Sequence, residues 1–426
     1  MKTVLERLLD YVRFDTQSNE STGTHPSTPN QMVLARHLAE EMRAVGLQDV
    51  RLTEHGYAFG TLPATPGMEE APALGFIAHL DTSDAASGTN VQPQVIPYRG
   101  GVIPLGTSGK FLDPKRFPSL NHQIGNTLVT TDGTTLLGAD DKAGIAEIMT
   151  AAERIISEKI PHGPLRFGFT PDEEIGEGTL FFDVEAFGAQ YAYTVDGGAA
   201  GEIEFQNFNA ATATIAFHGI PVHPGSARGI MVNALRVAFE FNSMLPRNEV
   251  PEETEQFQGF YHLIRCSGTA SEAETVYLLR DHDAESFEAR KTTLRRIAAE
   301  LNARYGNGTV TVAVKDQYRN MEEVILQHPF LLDIAKEAVH ESGLEPVIVP
   351  IRGGTDGAML SFRGLPCPNL GTGGYNFHGE SEFASVEEME KTVEILLGIT
   401  VRFSRLAPGE PAQSLPVQKT EEISRI

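Results

Sequence analysis

The sequence predicts an α/β fold, with a mostly parallel sheet in a discontinuous domain that is interrupted by a smaller inserted α+β domain. Three observations carry this expectation. Apolar runs of strand length alternate with helix-periodic segments between residues 74 and 198, the pattern of a parallel sheet. Near Asn209 the texture changes to period-two alternation, and after Met321 the α/β character resumes. The length of 426 residues allows two or three domains, each able to bury a full core.

The elements follow in order. Val4, Leu5, Leu8, Leu9 and Val12 recur at helical spacing, so the chain opens with an amphipathic helix. A second helix is expected over 30–45, ended by Gly46. Residues 74–78 read as a buried strand, followed at once by His79-Leu80-Asp81. The Gly- and Pro-rich stretch 83–123 lacks periodicity and reads as a long connection, a length that is usually functional. Within it, Gly106-Thr107-Ser108-Gly109-Lys110 lacks the spacing of a phosphate-binding loop. A short strand at 135–137, the turn at 138–141 and a helix over 142–157 come next, then strands at 165–170 and 191–195. Between Asn209 and residue 320 the predicted order is βαββαβ, with helices over 231–245 and 287–305, the split βαβ of a ferredoxin-like domain. A helix over 330–341, a strand at 347–349 and a long helix over 386–405 return the chain to the first domain. The polar residues 408–426, with Pro408, Pro411 and Pro416, are expected to be disordered.

Composition excludes more than it identifies. Against 57 Asp and Glu stand 34 Lys and Arg, a formal charge of -23 that repels nucleic acid and anionic membrane. Cys266 and Cys367 are too few for a disulfide framework and lack metal-binding spacing. Charge interrupts the N-terminus before a signal sequence could form, and no run approaches the ~20 apolar residues of a membrane span. The expected setting is the cytoplasm.

Position singles out a few of the acids. His79 and Asp81, Asp140 and Asp141, Glu173 and Glu174, and Asp196 each follow a predicted strand, where ligands bind in open α/β sheets. Taken singly each has an ordinary explanation, Asp140 as a helix cap and Asp196-Gly197 as a turn. Together, with His378 in a Gly-rich loop, they form a metal-ligand inventory. Imidazoles and carboxylates without Cys suit Zn²⁺, Co²⁺ or Mn²⁺ at a reactive site. A metal pair ~3.5–4 Å apart needs a bridging acid, two further acids and two His. Asp140, Glu174, Asp196, His79 and His378 supply that set. Asp81 could hydrogen-bond the second ring nitrogen of His79, and Glu173 could take a proton from the attacking water.

The motifs Ala78-His79-Leu80-Asp81-Thr82, Leu137-Gly138-Ala139-Asp140-Asp141-Lys142, Thr170-Pro171-Asp172-Glu173-Glu174 and Val195-Asp196-Gly197-Gly198 stand in this order. With His223-Pro224-Gly225, Arg352-Gly353-Gly354-Thr355-Asp356 and Asn376-Phe377-His378-Gly379, the chain resembles the M20 metallopeptidases, specifically their tripeptide aminopeptidases, over about residues 1–405. The resemblance implies a zinc-peptidase-like catalytic domain over 1–208 and 321–407 and a lid over 209–320. It implies two Zn²⁺ per subunit, with Co²⁺ or Mn²⁺ as substitutes, and release of the N-terminal residue from tripeptides by metal-activated water attack. It gives His79, Asp140 and Asp196 to one metal and Asp140, Glu174 and His378 to the other. Asp81 becomes the orienting acid, Glu173 the general base and the lid residue His223 a stabiliser of the oxyanion. Arg280 and Arg352 could grip a substrate carboxylate, with Asn209 assisting. Small peptides are the expected partners, and a homodimer is compatible with the sequence. The alternatives are another M20 amidohydrolase (a dipeptidase, carboxypeptidase or aminoacylase) or a metal-binding scaffold without catalysis.

Overall fold

The computed structural model describes residues 1–406, and the expected tail at 408–426 lies outside them. The chain forms two compact units. Of the described residues, one comprises Met1–Phe205, Glu323–Val349 and those from Thr355 onward, the other Gln206–Glu322 and Pro350–Gly354.

In the first unit an eight-stranded sheet runs, in spatial order, Gln48–Leu52, Ala58–Leu62, Leu165–Thr170, Leu74–His79, Tyr191–Gly197, Asn369–Gly371, Glu202–Glu204 and Val347–Ile348. Its four central strands, from Leu165–Thr170 to Asn369–Gly371, are parallel, as expected. Every residue of Leu74–His79 is buried, which is why this strand reads as an unbroken apolar run. The first helix, Val4–Tyr11, starts on a capping box between Thr3 and Glu6. Gln31–Val45 stops where Gly46 takes a left-handed φ of 107°. The helix Ala139–Ser157 packs on Leu74–His79 and against the last helix, Val386–Phe403.

Two expectations are corrected. Residues 135–137 form no strand; the strand lies earlier, at Thr127–Thr130, and pairs antiparallel with Gln94–Pro97 and Phe383–Ser385. Asp140 therefore does not follow a strand. The stretch 83–123 is also more than a connection. It contributes Gln94–Pro97 and the hairpin Ile103–Leu105/Lys110–Leu112, whose turn holds the Gly-rich 106–109. Tyr98, Ile103, Leu105, Leu112 and Leu120 pack with Leu128 and Phe383 into a separate core. Strands of three or four residues are too short to show a period, and the partner of Gln94–Pro97 lies some way along the chain at Thr127–Thr130.

The second unit is the βαββαβ arrangement. Its strands lie in the order Phe260–Gly268, Glu272–Asp281, Asn209–His218, Val310–Tyr318, all antiparallel. Ala211, Ala213, Ile215 and Phe217 point to one face and pack with Val237 and Phe241 of helix Ala234–Ser243 and Leu294 and Ile297 of helix Ala284–Tyr305. Period-two alternation is the right signal here because only this face is covered.

One core group makes stability depend on pH. Glu147, on the helix Ala139–Ser157, is fully buried, and neither carboxylate oxygen has a hydrogen-bond partner among the described residues. Burial, with Glu388 nearby, pushes its pKa well above the ordinary 4.5. The folded chain keeps this proton while the unfolded chain loses it, so the group's contribution is full below the unfolded pKa and is lost as pH rises through the folded one. A tenfold difference in proton affinity between the two states is worth about 1.4 kcal/mol. Between about pH 5 and about pH 8, Tm should fall more for the wild type than for Glu147→Gln. Parallel Tm curves would refute this assignment.

Candidate metal centre

Three parallel strands bring their C-terminal ends to one edge. His79 ends its strand, Glu173 and Glu174 follow Thr170, and Asp196 lies at the end of Tyr191–Gly197. Asp140 enters from the turn before the regular helix and keeps extended backbone angles (φ -83°, ψ 103°) although it lies within Ala139–Ser157. His79 Nε2 lies 2.8 Å from Asp140 Oδ1 and 3.4 Å from Asp196 Oδ1. His378 Nε2 lies 3.0 Å from both Asp140 Oδ2 and Glu174 Oε2. The ligand atoms of His79, Asp140 and Asp196 all fall within 4.8 Å of one another, as do those of Asp140, Glu174 and His378. The two groups share Asp140 through different oxygens, the arrangement a bridging carboxylate requires.

Buried carboxylates hold these ligands through the backbone. Asp81, fully buried, accepts hydrogen bonds from the N–H groups of Glu173 (3.0 Å) and Glu174 (3.2 Å). The expected contact to the His79 ring is divided: Nδ1 lies 3.0 Å from the Asp81 carbonyl oxygen and 3.4 Å from its carboxylate. Asp141 accepts from the His79 N–H at 3.0 Å. A side chain at Gly144 would collide with the Val195 carbonyl, so the helix lies directly against the Asp196 strand. Asn369 Oδ1 accepts from the Asp196 N–H at 3.1 Å, and its amide donates to Glu204 at 2.6 Å. Asp172 receives the Ser27 N–H at 2.7 Å and lies 3.0 Å from His25 Nδ1, anchoring the turn that carries Glu173. Glu382 accepts from the N–H groups of Leu137, Gly138 and Asp140. Sequence reasoning misses Asp172, Asn369 and Glu382. Asp172 and Glu382 have one signal each, adjacency to Glu173 and a place four residues past His378.

The electrostatics suit cations. Burial opposes charge on His79, yet Asp196, Asp140 and Asp81 hold its pKa well above the ordinary value. Hydrogen bonds to Asp140 and Glu174 push His378 up to about 11. Burial raises Asp196 to about 7 and raises Glu174. It also pushes Glu173 well up, beside the charges of His79 and Asp196. Asp140, despite its burial, is held low by the two imidazoles. Protons on the imidazoles thus neutralise the carboxylates where a divalent cation would do so, so cation binding would release protons. Glu174 Oε1 is buried without a hydrogen-bond partner among the described residues, an atom left over for a ligand. The donor set fits two cations of the zinc, cobalt or manganese type.

The remaining predicted residues belong to the second unit. His223 is exposed and its Nδ1 accepts the Gly225 N–H. Asn209 is buried, donating to the carbonyls of Asp281 and His282 and accepting from the Asn320 N–H. Arg280 lies over the Tyr318 ring and donates through Nη1 to Ala211 and Leu279. Arg352 lies against the rings of Phe208 and Phe260 and donates to the carbonyls of Thr254, Gln256 and Gln258. All of these partners lie within that unit.

The sequence model of peptidase family M20/M25/M40 matches residues 131–402. The chain belongs to peptidase family M20. It is 50% identical to a peptidase T of Clostridium novyi, over 95% of this chain and 100% of that protein. To a peptidase T of Bacillus licheniformis it is 51% identical, covering 95% and 99% of the two chains. The M20 fold is also that of a Staphylococcus aureus tripeptidase, with a TM-score of 0.75 at 23% identity over 95% of this chain and 98% of that one. A dinuclear metal-binding M20 peptidase of Bacillus subtilis superposes with a TM-score of 0.64 at 15% identity, over 94% and 98% of the chains. This M20 chain is a peptidase with metal-capable residue groups.

Proposed function

We propose that this M20 peptidase is a two-zinc aminopeptidase that releases the N-terminal residue from tripeptides. The observation that carries the reading is the sharing of Asp140 by two three-ligand groups. The full-length likeness to peptidase T enzymes supports the substrate class. His79, Asp140 and Asp196 would hold one ion and Asp140, Glu174 and His378 the other. Bound there, the cations would supply Lewis acidity for the peptide carbonyl and for the attacking water. Glu173 takes the proton of that water and passes it to the leaving amine. Asp81 keeps Glu173 and Glu174 in place through their N–H groups.

The second unit is the proposed lid. From it, His223 would help stabilise the oxyanion and Arg280 and Arg352 would bind a substrate carboxylate. Asn209 would contribute by holding the frame of that unit.

The acid surplus argues against nucleic acid and membranes as partners, and no helix among the described residues is long and apolar enough to cross a membrane. The cytoplasm is the proposed setting, where Cys266 and Cys367, both free, stay reduced. A homodimer has an open sheet edge available at Phe260–Gly268, and sedimentation distinguishes one copy from two.

The test uses purified protein loaded with Zn²⁺ or Co²⁺ and matched di-, tri- and tetrapeptides. The tripeptide should be cleaved at its first bond at least ~10-fold faster than the others, a discrimination of about 1.4 kcal/mol. Chelated protein should be inactive. Equal rates across the lengths would remove the tripeptide assignment.

A further inference from the structure

We propose that Glu382 is a positioning residue that sets the bridging carboxylate Asp140 and the His378 loop relative to each other, and so tunes metal affinity. The inference rests on the two-metal reading. Glu382 is 1% exposed, four residues after His378 and immediately before the strand Phe383–Ser385. Its carboxylate reaches across to the turn that presents Asp140. Oε2 accepts from the N–H groups of Leu137 (2.7 Å) and Gly138 (2.8 Å), and Oε1 accepts from the Asp140 N–H (3.0 Å).

Gly138 has a left-handed φ of 78°, so the turn aims consecutive N–H groups at one acceptor. These are hydrogen bonds to an ionisable acceptor, stronger than neutral ones when it is charged. They join two segments 238 to 245 residues apart, each carrying a ligand of the second ion. The strands beside them, Thr127–Thr130 and Phe383–Ser385, pair in the same sheet. Glu382 thus sits at the end of a hydrogen-bonded strand ladder.

Glutamine cannot replace it. An amide has one acceptor oxygen and one NH₂ that only donates. Directing its oxygen at Leu137 and Gly138 leaves NH₂ facing the Asp140 N–H, so the bridging residue itself loses its anchor. Reversing the amide abandons two donors instead. Partners that orient a metal ligand typically cost 10–100-fold in affinity when removed.

The experiment titrates Co²⁺ into the metal-free full chain and follows its ligand-field absorption, with bound metal counted after dialysis. Wild type should take two ions. Glu382→Gln should bind them about 10–100-fold more weakly, with an altered Co²⁺ spectrum, while its metal-free circular dichroism matches wild type. Glu382→Asp, which keeps the charge but falls one methylene short, should show the same weakening. Wild type that binds no metal would defeat the two-metal reading. Two ions bound by Glu382→Gln with wild-type affinity and spectrum would overturn the inference alone. If Glu382→Gln does not fold, Glu382→Asp decides by the same readout. Failure of both to fold would also overturn it, because Glu382 would then serve the fold.

Discussion

Replacing Glu173 by Gln should leave two metals bound and lower kcat toward a tripeptide by about 10²–10⁴. Gln preserves the size of the side chain and the backbone N–H that Asp81 holds at 3.0 Å. It removes only the ability to accept a proton. Glu173 is half-buried beside His79 and Asp196 and belongs to neither metal-ligand group, so its loss should spare metal content. KM should change little, since the missing interaction develops as the proton moves. Full activity in a two-metal Glu173→Gln protein would rule out its role as the base.

Asp140→Asn should be more damaging, and in a different way. Asp140 Oδ1 faces His79 and Oδ2 faces His378, each imidazole belonging to a different ion's ligand group. Asn keeps one oxygen and replaces the other with an amide nitrogen that has no lone pair to give. The chain should then retain at most one tight ion after dialysis, with affinity reduced by more than the 10–100-fold that supporting residues cost. Asp196→Ala, which strips a single group, should leave the other ion in place. Metal counts by mass spectrometry separate the cases, and two tight ions in Asp140→Asn would show that Asp140 does not bridge.

The site is more legible in the sequence than the fold around it. His79, Glu174 and Asp196 stand out because each follows an apolar run that becomes a parallel strand, and parallel strands end on one edge. Asp140 stands out in the sequence through a strand that does not form. The apolar run before it is irregular chain, and its place comes from the turn anchored by Glu382. Glu382, Asp172 and Asn369 are hard to read because carboxylates and amides are usually solvated; apart from the nearness of Asp172 to Glu173 and of Glu382 to His378, nothing local marks one that receives distant N–H groups. The short strands of 83–123 are hidden because three or four residues show no period, and Gln94–Pro97 joins a sheet whose other strands, Thr127–Thr130 and Phe383–Ser385, come later in the chain.

By itself, the sequence determined the ligand inventory, the α/β and βαββαβ segments and the family. These follow from residue chemistry and from periods of two and 3.6, which are local properties of the chain. Only the tertiary structure decided that Asp140 faces both imidazoles, that the Asp81 carboxylate lies closer to the Glu173 and Glu174 N–H groups than to the His79 ring, and that Glu382 ties two ligand loops together. Those contacts include pairs 61 to 245 positions apart. No local pattern encodes such pairs; they exist once burial has removed water and left each N–H and carboxylate to find the other.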